Sequence, residues 1–262
     1  MKQKQDFQLM ELNSLEPHPK RIENIMVVCG THVHVEFLVN FVAKLYEKKC
    51  IGKIQQYCDV LFIINNSDSE EHFIEQCDDP ERGKEFMALC DLLHRDCQLE
   101  VMFDNKSDYE SSCFKYVQSH YTKSYDFMLF LQATTEFVNK RAFDLIFNND
   151  DELFLDPYGF CCLVKIGMDT LERMRIPECG HKWGSIKFEN WLMNFMKRRE
   201  TFKYVFRSYD PIYRTNEIHQ HGYIQEAFGR LNCIRENDMF IKYRGSWSKE
   251  STNRVIEEGK WN

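Results

Sequence analysis

The chain lacks any run approaching the ~18 consecutive apolar residues that a membrane-spanning helix needs. Its opening stretch, MKQKQDFQLMELNSLEPHPKR, has no apolar segment of the kind that directs secretion. A globular, cytoplasmic protein with no transmembrane segment is expected. Proline and glycine are scarce, at 6 and 11 of 262 residues, and no Gly/Ser-rich stretch marks a linker. No internal repeat is visible. Basic residues do not dominate either: 34 Lys and Arg face 41 Asp and Glu, a net charge of −7, which argues against nucleic acid as a partner because phosphates demand a basic footprint. There is no GxxxxGK[ST], no GxGxxG after the first strand and no GxSxG. Those absences exclude P-loop enzymes, weaken the case for nicotinamide or flavin enzymes and remove the α/β-hydrolase elbow. The eleven cysteines include no CxxC pair. Cys90, His94 and Cys97 come nearest to a zinc spacing but fall on one helical run, so buried free thiols are the expected state.

What is present is apolar mass, 43% of residues with 14% aromatic, enough for a sizeable core. Residues 1–23, with EPHPK, lack periodicity and are expected as an N-terminal extension; the domain is expected over 24–262. IMVVC (25–29), VLFII (60–64), LEVMF (99–103) and FMLFL (127–131) are expected as buried strands, alternating with helices whose apolar residues recur at three and four. Strands apolar on both faces indicate a parallel sheet covered on each side, hence an α/β fold with a single Rossmann-like domain. Further on, 158–166 and 202–209 are expected as strands, 186–199 as a helix and 210–262 as an irregular C-terminal part. The stretch 68–81, with seven acids and no Lys or Arg, is expected to be a solvated loop. The stretch 181–207, with seven Lys or Arg against two Glu, suits a helix face or a phosphorylated ligand.

In open parallel sheets ligands bind beyond the carboxyl ends of the strands. Those tips are GTHVH (30–34), NNSDS (65–69), DNKSD (104–108) and QATTE (132–136), all small and polar. Turn and cap preferences account for some of this, since Asp68, Ser107 and Asp108 are residues that favour such positions.

A first strand ending in Thr31-His32, a second ending in IINNSDS and a YDFMLFLQA strand preceded by a helix resemble the nucleotide-diphospho-sugar glycosyltransferases of the A-type fold, most of all the family-2 group. The resemblance implies that Asn66 and Asp68 stand where the family's second-strand turn reads the base, and that Gly30, Thr31 and His32 help hold the nucleoside. Tyr125, Asp126 and Phe127 match the entry to the family's fourth strand, so Gln132 and Thr134 fall where its Asp-x-Asp carboxylates hold a divalent cation. Neither can neutralise such a cation, Mn2+ or Mg2+, although both can bond a ribose or phosphate oxygen. Glu136, Asp150 and Asp151 are nearby acids, and 150–152 is expected as an exposed loop. WGSIKFENW places Glu189-Asn190 where the family carries an acid pair at a helix start, which makes Glu189 the candidate general base. His219, His221, Lys182, Lys187 and Arg214 are candidates to carry diphosphate charge.

The resemblance also implies a nucleotide-binding half (24–135) and an acceptor half (136–262), and the activity it implies is transfer of a sugar from a nucleotide-diphosphate sugar to a glycan or glycoprotein hydroxyl. Two other readings stand beside it. A glycosyltransferase-like domain that binds nucleotide or glycan without turnover is consistent with Gln132 and Thr134. A metal-dependent hydrolase is the other, with His32 and His34 alternating on an extended segment and paired with His219 and His221.

Overall fold

The computed structural model describes residues 24–105, 109–137, 140–148, 152–155, 163–179, 182–196, 198, 202–204, 234–236 and 240–242. Four parallel strands form its centre: β1 (Asn24–Thr31), β2 (Cys58–Asn65), β3 (Leu99–Asp104) and β4 (Phe127–Gln132). Beyond β4 the sheet continues with β6 (Glu152–Leu155), β7 (Leu163–Gly167) and β8 (Phe202–Tyr204), in the order β3-β2-β1-β4-β7-β6-β8. Only β7 runs against the rest, being antiparallel to both β4 and β6. This is the α/β architecture, with a mostly parallel sheet flanked by helices, that the strand pattern implies. A separate small sheet joins β5 (Thr135–Phe137), β10 (Phe240–Lys242) and β9 (Ile234–Glu236).

Every residue of β1 is buried, and its alternation divides them between two cores. Met26 and Val28 enter the first, with Phe62, Ile64, Leu129 and Leu131, under α1 (Val35–Glu47), α2 (Ile51–Tyr57), α4 (Pro80–Asp96) and α6 (Arg141–Phe147). Ile25, Val27 and Cys29 enter the second, with Ile63, Met128 and Phe130, under α5 (Glu110–His120), α7 (Met168–Arg173) and α8 (Lys182–Met196). Each fully buried Val, Leu, Ile or Phe contributes about 1.5–3 kcal/mol, so this two-sided burial is what holds the strands side by side. Lys165, in β7, is the exception in the first core's layer: it is fully buried, donates to Ile146 O at 2.9 Å and lies 4.3 Å from the Phe127 ring centre.

The acidic stretch is not a loop. It forms α3 (Glu70–Gln76) and the start of α4. Ser69 caps α3 by accepting from His72 N at 3.1 Å, and Asp79 caps α4 ahead of Pro80. Acids concentrate at helix starts because the exposed N–H groups there favour negative charge. α4 is also tied to α1, where Arg82 Nε and Nη2 both donate to Glu36, at 2.8 and 2.7 Å. Glu152, expected in an exposed loop, is a buried residue of β6 that accepts from Gly167 N. Asp150 and Asp151 lie outside the described residues, as do Ser107 and Asp108. Cys90 is buried, His94 bonds Leu99 O, and the cysteines of the described residues are free thiols.

Candidate functional site at the strand tips

The register places the tips together. Thr31 pairs with Asn65, Asn65 with Asp104, and Cys29 with Gln132, so all four strands end on one edge of the sheet. Between β1 and β4 the strand order reverses, the position at which open α/β sheets bind their ligands.

Side-chain alternation then sorts the tip residues. Cys29, Ile63 and Phe130 belong to the second core, so two residues on, Thr31, Asn65 and Gln132 extend that face as a polar row. The contacts agree. Asn65, with no exposed surface, donates to Cys29 Sγ at 3.3 Å and accepts from Ser112 of α5 at 2.6 Å. Gln132 Nε2 donates to Glu110 of α5 at 2.8 Å and to Glu189 of α8 at 3.1 Å. Thr31 is 1% exposed, and its Oγ1 has no hydrogen-bond partner among the described residues.

Glu189 is 5% exposed and lies inside α8, not in its first turn, since the helix begins at Lys182. Helix-dipole stabilisation therefore does not account for it; its contact with the β4 tip does. Glu110 went unnoticed in the sequence. It sits in the first turn of α5, just beyond the β3 tip, and a carboxylate opening a helix at a strand tip was the available signal. Tyr109, immediately before it, has φ 48° and ψ −124°, a conformation that costs a non-glycine residue about 1–3 kcal/mol.

The other candidates occupy the opposite face or the rim. Gly30 faces α1: a Cβ there would lie 2.8 Å from Leu38 Cδ2. Asn66 turns the chain with φ 63°, a left-handed conformation that asparagine tolerates. Asp68 is exposed and bonds His72 Nδ1 at 2.8 Å. Thr134 is buried beyond Gln132, and Glu136 accepts from Asn40 at 3.0 Å. His32 and His34 lie on a 3-10 turn, His32–His34, and not on an extended segment, because the chain bends at once from β1 into α1. Burial pushes the His32 imidazole below its ordinary 6.5, partly offset by Asp78, with His72 adding to the depression. Lys187 is exposed on α8; His219, His221 and Arg214 lie outside the described residues, and so do the side-chain positions of Lys182.

No family model matches the chain, and no curated protein matches it. Solved structures do. A mannosyltransferase from Pyrobaculum calidifontis, in complex with GDP-Man and Mn2+, is 9% identical, with 94% of this chain and 71% of that one covered at a TM-score of 0.45. The glycosyltransferase GlyE of Streptococcus pneumoniae TIGR4 is also 9% identical, with 93% and 61% covered at a TM-score of 0.42. At these scores the topology described above, rather than the likeness, has to carry any functional conclusion.

A divalent cation of the kind the family resemblance implies does not fit the β4 tip. The residue between the two carboxylates presents amide hydrogens to both, and a donor cannot ligate a cation. Among the described residues, no three His, Cys, Asp or Glu side chains converge in a metal-binding group. No helix among them is long and apolar enough to cross a membrane.

Proposed function

We propose that the protein is a glycosyltransferase that moves a sugar from a nucleotide-diphosphate sugar to a glycan hydroxyl. The observation that carries this is the placement of Glu189, a nearly buried carboxylate of α8, 3.1 Å from Gln132 at the tip of β4, beside the β1/β4 switch point of the sheet. A carboxylate there suits a base for a sugar hydroxyl, because its uptake of the proton can develop together with attack on the anomeric carbon. As the acceptor oxygen bonds the anomeric carbon, the bond from that carbon to the diphosphate breaks and the acceptor proton passes to Glu189. Gly30, Thr31, His32, Asn66 and Asp68 line the nucleoside side in this proposal, while Gln132 and Thr134 face the ribose or diphosphate. Thr31 Oγ1 and His32 Nδ1, both buried without a hydrogen-bond partner among the described residues, are groups that a ligand would satisfy.

The test begins with thermal shift against UDP, GDP and CMP sugars, where binding raises the melting temperature by mass action. With the preferred donor, Glu189→Gln is expected to lower turnover by about 10²–10⁴-fold while donor binding is kept. Unchanged turnover removes Glu189 from the mechanism. A second reading has its own support: Gln132 and Asn65 direct their amide groups to protein partners, as expected of a domain that binds nucleotide without transfer. Binding without turnover in the wild type would select it.

A further inference from the structure

Two carboxylates and one amide meet at the β4 tip, and their geometry bears on how the site handles charge. The primary amide of Gln132 has two hydrogens on one nitrogen, and among the described residues that nitrogen meets two acceptors, Glu110 Oε1 at 2.8 Å and Glu189 Oε1 at 3.1 Å. Because the two N–H bonds diverge at about 120°, the two carboxylate oxygens stand about 5 Å apart. A cation such as Mg2+ holds its oxygens at about 2.0–2.1 Å, so even ligands on opposite sides of it lie only about 4.2 Å from one another. The pair is spaced for a nitrogen between them, and these two oxygens stand too far apart to share a Mg2+ ion.

We infer that the Gln132 amide takes the place between Glu110 and Glu189 that a cation would otherwise fill, and that this site is independent of divalent metal. Two charge-assisted hydrogen bonds set the separation of the carboxylates. The inference deepens the transferase proposal by assigning the diphosphate's charge to basic side chains, such as the exposed Lys187 of α8, and not to a metal.

Mn2+ titration of the full chain, followed by electron paramagnetic resonance of the free ion, tests this without requiring turnover. The wild type is expected to show no stoichiometric site, alone or with UDP or GDP. Gln132→Glu keeps the length of the side chain but exchanges the donor for a third converging carboxylate, and should gain one Mn2+ per chain, with affinity raised on the order of tenfold or more. Gln132→Asp serves as the second variant should the first fail to fold. A stoichiometric wild-type site that Glu110→Gln abolishes overturns the inference, as does failure of both folded variants to gain metal. If no nucleotide binds at all, the transferase proposal fails while the Mn2+ results still decide this point.

Discussion

Replacing Gly30 with alanine decides whether this glycine serves a ligand or the core. The added Cβ would stand 2.8 Å from Leu38 Cδ2, 3.1 Å from Cδ1 and 3.2 Å from Cγ, so the whole leucine side chain must move, not one methyl. Leu38 has no exposed surface and no room to rotate into without displacing its neighbours in the first core. Overpacking of this kind costs about 1–3 kcal/mol. In a domain of this size that lowers the melting temperature by roughly 2–4 °C per kcal/mol, hence about 2–12 °C in a thermal-unfolding scan. Leu38→Ala alone costs about 2–5 kcal/mol through the cavity it leaves. The double variant refills part of that cavity, so its cost should fall short of the sum of the two single changes by about 0.5–3 kcal/mol. Additive losses would refute the contact with Leu38. A Gly30→Ala protein of unchanged melting temperature that has lost nucleotide affinity would place the glycine against the ligand instead.

Two further outcomes follow from side chains on the same face of the sheet. His32 titrates below its ordinary 6.5 because burial penalises its charged form, so the unfolded chain binds more protons than the folded one as the pH drops under 6.5. Its stabilising contribution is therefore complete above that pH and is lost as pH falls through the depressed value. His32→Asn should flatten the melting-temperature profile below pH 6.5, and an identical slope in both proteins would contradict the burial effect. Arg82→Met leaves Glu36, whose side chain is 10% exposed, without its forked partner. The loss should be roughly 2–3 kcal/mol by denaturant titration, below the 3–5 of a fully buried pair because Arg82 is partly exposed; a change under about 0.5 kcal/mol would mean that the pair is solvent-screened.

The central strands were legible from composition of short windows alone. Residues such as VVC and LFII are apolar at every position, which only a strand covered on both faces requires, and helices α1, α4 and α5 announced themselves through spacing of three and four. The acidic stretch was misjudged because seven acids look solvated, whereas Ser69 and Asp79 turn that charge into two helix starts. Glu152 was misjudged for the same reason: charge implied exposure, but the end of the neighbouring strand β7 offers the Gly167 N–H, from which its carboxylate accepts. The strand-tip row could be anticipated from the alternation, since each tip residue follows the last apolar residue on its face.

By itself, then, the chain's local periodicity settled which segments are strands, which face of each helix is apolar and which small polar residues close each strand, because those properties depend only on neighbours a few positions away. The meeting of Glu110, Gln132 and Glu189 was decided by tertiary structure. Gln132 reaches one partner 22 positions away and the other 57, and only the crossover to β4 and the packing of α8 on α5 bring them within hydrogen-bond range. Separations of that length leave no periodic trace in a sequence, so the charge missing from the β4 tip had to be found in space.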